Sequence, residues 1–295
     1  MTNDEHSPHS NVAINTPLLT FFLHSPNMST SSTFHTSMDI SPAPTPAPDA
    51  SMSRADALAY WESINADDNG MLGGYPQVSR IDIQGSSTFL AKIRRLDTDK
   101  PDGTSNNTTV SSLPFDRAVD CGAGIGRITL NLLVHQARTI DIVEPVAKFT
   151  DALAAAFSAQ SIAANANGIT GTLGAIHNLG LEDFHPGPAS YDLIWNQWCV
   201  GQLTDTQLIA YLKRCGTALR RGGWIVVKEN MSSRMPGPGE QDIFDATDSS
   251  VTRGDGSFRR IFEEAGLEVK ATEVQRGMPR ELFPVRAYGL RPEGW

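Results

Sequence analysis

Between residues 54 and 96, apolar side chains recur every three or four positions. This spacing predicts one helix over 55–64 and a second over 86–96. A glycine-rich turn over 69–75 separates the two. We therefore expect residues 54–96 to form a helical cap that precedes the main part of the domain.

Further along the chain, short apolar runs alternate with helical patterns. The strands predicted in this way are 118–121, 139–143, 172–176, 192–195, 224–228, 268–274 and 285–290. The helices predicted between them are 127–135, 146–158, 205–219 and 258–265. This alternation predicts an α/β fold, with a mostly parallel sheet that helices cover on both faces. Two strands close the chain in direct succession, which predicts an antiparallel edge.

Two polar segments lie outside this pattern. Residues 1–53 contain no Lys or Arg and are rich in Ser, Thr and Pro, so they cannot bury enough apolar surface to offset their ordering entropy. We expect this segment to be a disordered tail and residues 54–295 to be the folded domain. Residues 97–112 are a polar insertion between the cap and the core over 113–295. Within the core, residues 231–257 read as a long Gly/Pro-rich loop.

Charge and cysteine content narrow the class of protein. The chain has 24 Lys and Arg against 33 Asp and Glu, a net charge of −9, which disfavours a broad nucleic-acid-binding face and suits a basic partner. Its three cysteines have no metal-binding spacing, so we expect no metal and a reducing compartment, the cytoplasm or the nucleus. No apolar run reaches the roughly 18 residues of a membrane span, so no membrane partner is expected.

A glycine-rich turn joins the first predicted strand of the core to the following helix. It runs from Asp120 to Arg127 and places Gly122 and Gly124 where the backbone can approach a ligand closely. A valine at Gly122 is therefore expected to block the ligand and spare the fold. Arg127 occupies the position of the third glycine in the dinucleotide fingerprint, which disfavours a nicotinamide-dependent dehydrogenase. Glu144 ends the next strand about 20 residues later, where a carboxylate accepts ribose hydroxyls in either type of cofactor site.

Five stretches together resemble the protein N-terminal methyltransferase family. They are Gly70–Tyr75, Asp120–Arg127, Ile194–Asp205, Val226–Asn230 and Asp245–Val251. The resemblance implies a seven-stranded, Rossmann-like class I methyltransferase fold that uses S-adenosylmethionine (SAM). It also implies transfer of methyl groups to the α-amino group of protein N-termini beginning X-Pro-Lys or X-Pro-Arg once the initiator Met is removed (EC 2.1.1.-). Ribosomal and chromatin proteins would be among the substrates.

The resemblance also assigns roles to individual residues. It implies a cofactor site formed by Gly122, Gly124, Arg127, Glu144, Leu181, Glu182 and Gln197. Asn230 would hold the first residue of the substrate and, with Asp248, act in catalysis. The substrate peptide would contact Trp61, Leu72, Trp198, Asp245, Asp248 and Ser250. Two carboxylates three residues apart suit a substrate Lys or Arg at the third position.

Several positions depart from the family pattern. Gln202 stands where the family usually has a histidine, its proposed base, and Gln cannot take a proton. Glu144 and Glu229 stand where Asp is usual, Glu182 where Gln is common, and Phe283 where Tyr is typical. Two alternatives therefore stay open at this point: a small-molecule methyltransferase of the same fold, and a non-catalytic partner protein that binds the cofactor. The acids at 245 and 248 speak against the first, and Asn230 with Asp248 against the second.

Overall fold

The structure, a computed structural model, describes residues 46–98, 113–164, 171–233, 237 and 240–295. Most of the predicted tail and most of the polar insertion lie outside the described residues. The strands are β1 Phe115–Cys121, β2 Ala137–Val143, β3 Thr172–His177, β4 Tyr191–Gln197, β5 Leu219–Asn230, β6 Ile243–Asp245, β7 Ser250–Thr252, β8 Leu267–Val274 and β9 Val285–Pro292. The helices are α1 Arg54–Ser63, α2 Asp68–Met71, α3 Ser79–Thr98, α4 Arg127–Asn131, α5 Ala147–Ala164, α6 Asp205–Ala218 and α7 Asp255–Glu264.

Seven strands form one sheet in the order β3-β2-β1-β4-β5-β9-β8. Strands β1 to β5 are parallel to one another, and β9 runs antiparallel to both β5 and β8. The predicted fold class, with its antiparallel edge, is therefore confirmed. The strand order runs outward from β1 in both directions, through β2 on one side and β4 on the other. Open α/β sheets bind their ligands at such a reversal, beyond the carboxyl ends of the strands.

The central strands are buried on both faces, so each face of the sheet carries its own core. One core joins the sheet to α6 and α7 and includes Tyr211, Phe258, Phe262 and Tyr288. The other joins it to α3, α4 and α5 and includes Phe89, Ile93, Trp195 and Trp224. Two cores of this kind explain why the strands read as nearly continuous apolar runs and not as alternating patterns.

The N-terminal cap differs from its predicted form at both ends. Helix α3 begins at Ser79, seven residues before the predicted start, because Asp82 and Ser86 lie fully buried on the inner face and interrupt the apolar pattern. Upstream, a 3-10 turn over Pro48–Ser51 packs near the β6–β7 hairpin, and the Asp49 carboxylate accepts a hydrogen bond from the backbone N–H of Asp205 at 2.8 Å. Part of the predicted tail, residues 48–53, therefore packs against the domain. Among the described residues, no helix has the length and apolarity that a membrane crossing requires.

Candidate active site

A cleft opens beyond the carboxyl ends of β1, β2 and β4, and helix α1 forms its outer wall. Every residue that the sequence assigns to the cofactor lines this cleft: Gly122, Gly124, Arg127, Glu144, Leu181, Glu182 and Gln197. Trp61 and Trp198, assigned to the substrate, line it too, together with Gln202. The fold therefore brings together residues from five separate parts of the sequence.

The glycine loop forms the floor of the cleft through left-handed backbone conformations that favour glycine. Gly122, Gly124 and Gly126 have φ angles of +66°, +54° and +81°. A Cβ atom on Gly122 would lie 2.2 Å from the Cβ of Cys199, so this glycine serves the packing of the loop. The expectation that a valine there would spare the fold is therefore wrong. A Cβ on Gly124 would meet only the Sδ atom of Met71, at 2.9 Å, so Gly124 is the glycine that leaves room for a ligand.

Glu144 is held in place by backbone N–H groups at the end of β2. Its two carboxylate oxygens accept from the backbone nitrogens of Gly124 and Val146, each at 2.9 Å. Burial raises the pKa of Glu144 to about 7, although both hydrogen bonds oppose the shift. A cleft-lining carboxylate in this position suits the two hydroxyl groups of a ribose.

Asp120 is a functional candidate that the sequence assignments missed. It is almost fully buried, lines the cleft, and accepts a hydrogen bond from the Thr129 hydroxyl at 2.6 Å. Burial raises the pKa of Asp120 to about 6, against the lowering effect of Thr129 and Arg127. Asp120 is the first residue of the glycine motif, and this position is the sequence signal that could have identified it. A carboxylate here provides a partner for a cationic ligand group.

Arg127 and Gln197 meet at a buried carboxylate that was also not predicted. The Arg127 guanidinium donates to Ser79 Oγ and to Asp82 Oδ2, both at 3.0 Å, and lies over the Trp198 ring at 5.6 Å. The Gln197 Nε2 donates to Asp82 at 2.8 Å, and Ser86 donates to the Gln197 Oε1 at 3.0 Å. Gln197 therefore forms part of the cleft wall with its amide already engaged.

The opposite end of the cleft is apolar and closed by an ion pair. Leu181 is buried, and Trp61 packs edge-on against Phe149 with 6.5 Å between the ring centroids. The Arg54 Nε donates to Glu182 at 2.7 Å and joins the start of α1 to this end. Such a lining suits an adenine ring.

These groups together fit SAM. Arg127 has guanidinium N–H groups beyond those used by Ser79 and Asp82, and a planar fork matches the carboxylate of the methionine moiety. Asp120 matches its cationic groups, Glu144 the ribose hydroxyls, and the wall around Leu181 the adenine. In the described part of the chain, no cluster of side chains capable of holding a metal ion is present.

A tight turn after β4 carries Trp198 to the inner end of the cleft. Trp198 has a φ of +55°, unusual for a side chain of this size. Glu229 stabilises the turn because its Oε1 accepts from the backbone nitrogens of Cys199 and Val200, at 2.7 and 2.9 Å. Burial raises the pKa of Glu229 to about 7. Asn230 follows as the buried last residue of β5.

The predicted substrate loop contains a short hairpin, β6–β7, in which Asp245 pairs with Ser250. Asp248 lies at its tip and is fully buried. Its oxygens accept from the Ser250 hydroxyl at 2.7 Å and from the Gln202 Nε2 at 3.1 Å. Burial raises the pKa of Asp248 to about 6, and the charge of Asp245 adds to the shift. Gln202 thus links the cleft to the hairpin.

Two residues near the hairpin change the predicted picture. Tyr60 on α1 was not predicted, yet burial and the charges of Asp248 and Asp245 raise its pKa to about 12, which places it in the field of both acids. Leu72, predicted to flank the substrate, has no exposed surface and packs with Val78 and Leu282 beneath Trp198. In this conformation Leu72 packs against Trp198 and supports its position.

Comparison with known proteins agrees with this geometry. Residues 49–291 match the family described as AdoMet-dependent proline di-methyltransferase. The chain belongs to this family. It is 39% identical over 239 residues to the N-terminal Xaa-Pro-Lys N-methyltransferase 1 of Rattus norvegicus, covering 80% of this chain and 93% of the relative. It is 38% identical over 240 residues to the alpha N-terminal protein methyltransferase 1 of Schizosaccharomyces pombe, covering 81% and 95%.

Solved structures support the same assignment. A SAM-dependent methyltransferase from Leishmania major superposes with a TM-score of 0.64 at 33% identity, covering 80% of this chain and 82% of that one. A 1,6-didemethyltoxoflavin-N1-methyltransferase from Burkholderia thailandensis, solved with S-adenosylhomocysteine, has a TM-score of 0.56 at 15% identity and shows the fold alone. The present protein is a SAM-dependent methyltransferase of the class I fold, and the lining of its cleft fits SAM.

Proposed function

We propose that this enzyme methylates the α-amino group of proteins whose mature N-terminus begins X-Pro-Lys or X-Pro-Arg. The observation that carries the proposal is the acidic hairpin beside the SAM cleft. Gln202 lines the cleft and donates to Asp248 in the hairpin, so the acids stand close to where the methyl group is delivered. A small apolar acceptor has no use for two carboxylates, whereas a peptide with a basic third residue does. The printed names of the relatives from rat and fission yeast support the same acceptor.

The chemistry asks mainly for positioning. SAM supplies a methyl group on a cationic sulfur that is already a good leaving group. The chain has to hold a neutral amine in line with that methyl at near-attack distance. A free α-amino group has a pKa of about 7.7–8.0, so part of it is neutral at physiological pH, whereas a lysine amine near 10.4 would need stronger deprotonation.

Gln202, Asp248 and Asn230 are the groups we assign to this positioning. The Gln202 Oε1 is buried and has no hydrogen-bond partner among the described residues, so it is available to accept from the substrate amine. The ionised Asp248 attracts the amine to the same place. Asn230 ends β5 beside the Glu229 that fixes the Trp198 turn. Trp198, which packs against Leu72, then contacts the substrate proline.

Asp245 and Asp248 contribute differently to recognition of the third residue of the substrate. Both oxygens of Asp248 are already engaged by Ser250 and Gln202. Asp245 is only partly buried, and its Oδ1 accepts one backbone hydrogen bond from Thr247 at 2.8 Å. We therefore assign the direct ion pair with the substrate Lys or Arg to Asp245.

Substrates and compartment belong to the same proposal. Ribosomal and chromatin proteins carry exposed basic N-termini and are the substrate class we propose. All three cysteines are free and buried, which suits the reducing cytoplasm or nucleus.

The test uses labelled SAM and three peptides beginning Ser-Pro-Lys, acetylated Ser-Pro-Lys and Ser-Pro-Gln. We expect mass spectrometry to place the methyl groups on the α-amine of the first peptide and none on the acetylated one. Loss of an ion-paired hydrogen bond should lower kcat/KM for Ser-Pro-Gln about 10- to 100-fold. In Asp245→Asn that preference should largely vanish. Methylation of the acetylated peptide, or equal use of Lys and Gln peptides by the native enzyme, would contradict the proposal.

A further inference from the structure

A cluster of buried polar side chains lies between α3, β4 and β5 at the inner end of the SAM cleft. Its centre is Asp82 on α3, which has no exposed surface. Asp82 Oδ1 accepts from the Lys228 Nζ at 2.6 Å, Oδ2 accepts from Arg127 at 3.0 Å, and the Gln197 Nε2 donates to both oxygens. The Lys228 ammonium also donates to the Asp82 carbonyl at 3.0 Å and to Ser86 Oγ at 2.9 Å. We call these five residues the Asp82 cluster.

The charges of this cluster do not cancel. Arg127 and Lys228 are 9% and 1% exposed, and among the described residues Asp82 is the one carboxylate that forms an ion pair with both. Within the cluster, two cationic side chains therefore share one carboxylate. Arg127 also lowers the pKa of Asp120 across the cleft, and it can still interact favourably with a further anion. Arg127 is the member that faces the cleft, so the cluster is complementary to an anionic group on the ligand. The methionine carboxylate of SAM is such a group.

The geometry limits where Arg127 can point. A guanidinium has five N–H donors in a rigid plane. Ser79 and Asp82, both on α3, each hold one of its terminal nitrogens, and Trp198 lies against its face. The orientation of the remaining N–H donors is therefore fixed before a ligand binds, which reduces the side-chain entropy that Arg127 loses on binding.

The Asp82 carboxylate is also connected to the residues assigned to the substrate. Lys228 precedes Glu229 and Asn230 on β5, and its carbonyl accepts from the Trp198 backbone nitrogen at 3.0 Å. Gln197 directly precedes Trp198. Both donors to Asp82 are therefore linked to Trp198, Gln197 as its neighbour in sequence and Lys228 through a backbone hydrogen bond.

We infer that Asp82 is a positioning residue that orients Arg127 toward the SAM carboxylate and couples this site to the Trp198 turn. The coupling to the acceptor rests on the proposed function, whereas the effect on SAM does not. Asn is nearly isosteric with Asp, but its amide nitrogen would have to face donors that it cannot accept from. Asp82→Asn should therefore release Arg127 and disturb Lys228.

The deciding experiment is calorimetric titration with S-adenosylhomocysteine, which needs no peptide and no turnover. We expect Asp82→Asn to weaken binding about tenfold or more, as loss of a hydrogen bond to a charged group does. Arg127→Lys, which keeps the charge and loses the fork, should weaken it comparably. Because Asp82 acts through Arg127, the double variant should bind no more weakly than the weaker single variant. Asp141→Asn is the matched control, since Asp141 is equally buried but bonds to Arg117 and Tyr191, neither of which lines the cleft.

Two results would overturn the inference. One is wild-type affinity in folded Asp82→Asn, and the other is a double variant whose loss equals the product of the two single losses. An equal loss of affinity in Asp141→Asn would also overturn it, because that would reveal a general effect on the fold. If Asp82→Asn does not fold, Ser79→Ala removes the other α3 contact to Arg127 and should weaken S-adenosylhomocysteine several-fold without lowering the melting temperature much. The KM for a Ser-Pro-Lys peptide should rise in Asp82→Asn and stay unchanged in Ser79→Ala, because the Ser79 side chain bonds to Arg127 and, among the described residues, not to Lys228 or Gln197.

Discussion

Two glycines of one loop have different duties, and their substitution should separate folding from binding. A Cβ on Gly122 would collide with Cys199, whereas one on Gly124 would enter the cleft beside the flexible end of Met71. We expect Gly122→Ala to lower the melting temperature strongly. Gly124→Ala should fold, with some strain from its φ of +54°, but lose most of its affinity for SAM. Thermal melts and calorimetry on the two variants check this, and a stable Gly122→Ala or a tightly binding Gly124→Ala would contradict it.

Asp248 gives the acceptor site a titrating group although no histidine is present at position 202. The hydrogen bonds from Ser250 and Gln202 stabilise its anionic form and so lower its pKa, against burial, which raises it to about 6. If the anion is the active form, kcat/KM for a peptide should rise as pH passes about 6 and again near the amine's own pKa of about 8.

Removing either hydrogen-bond donor tests this assignment. Gln202→Leu and Ser250→Ala each take away a bond to the anion, so the lower of the two pKa values in the rate profile should move upward. Ser250→Ala should move it further, since its bond is the shorter one. Gln202→His should instead extend activity toward lower pH, because it supplies a group with a pKa near 6.5. A lower limb that stays in place in all three variants would exclude Asp248 as its source.

Sequence motifs located the residues that line the cleft better than those that support it. A pattern of strand, glycine turn and following acid places Gly124, Arg127 and Glu144 in a cofactor site, and this pattern can be recognised from sequence spacing alone. Asp82 could not be found in this way. It sits in a helix far along the chain from its partners, and its role depends on a buried contact with Lys228, 146 residues away.

At the scale of elements, α1 covers the cleft while burying little of itself. Ala57 is its one buried residue, so packing alone holds it weakly. Its attachment comes from the Arg54 ion pairs with Glu182 and Asp183 and from the segment that precedes it. In that segment Ser53 caps α1 through the backbone N–H of Asp56 and donates its own N–H to Ser249 in the hairpin at 2.7 Å.

A truncation series tests what this segment contributes. A chain beginning at Arg54 loses the Ser53 cap and the Asp49 bond to the start of α6, and a lost cap costs roughly 0.5–2 kcal/mol. For a domain of this size we expect the melting temperature to fall by about 2–8 °C. A chain beginning at Pro46 is the matched control and should melt like the full chain. Equal melting of both truncated chains would mean that residues 46–53 add nothing to the domain.

The predicted elements were reliable wherever one periodicity ran undisturbed. All seven strands of the main sheet and helix α6, with its Thr204–Gln207 capping box, follow from pattern and capping chemistry. The sequence predicts a loop where the hairpin β6–β7 forms, because strands of three residues are too short for any alternation to show. What makes them a hairpin is the turn over 246–249, with Ser249 at a φ of +56°.

At the scale of the whole molecule, the fold gathers acids at one edge of the sheet and buries them. Burial raises the pKa of Asp120 and Asp248 to about 6, and of Glu144 and Glu229 to about 7. Each folded-state pKa therefore lies above its unfolded value near 4. The contribution of these groups to stability is complete below pH 4 and is lost as pH rises through 6 and 7. The melting temperature of the free enzyme should accordingly fall between about pH 4 and pH 7 and level off above that range.

The affinity for SAM should rise with pH over the range in which the stability of the free enzyme falls. SAM carries a net positive charge and donates ribose hydroxyl groups, so it favours the ionised forms of Asp120 and Glu144. Below pH 6 both carboxyls in the free enzyme are largely protonated and binding has to release those protons. Affinity should therefore rise about tenfold from pH 6 to pH 8 and then level off, since one pKa unit of differential interaction corresponds to a factor of ten. Calorimetry in buffers of different ionisation enthalpy measures both the affinity and the protons released. In Glu144→Gln the part of the rise near pH 7 should disappear while the part near pH 6 remains. An affinity that is flat or falls with pH in the native enzyme would show that these acids do not face the bound cofactor.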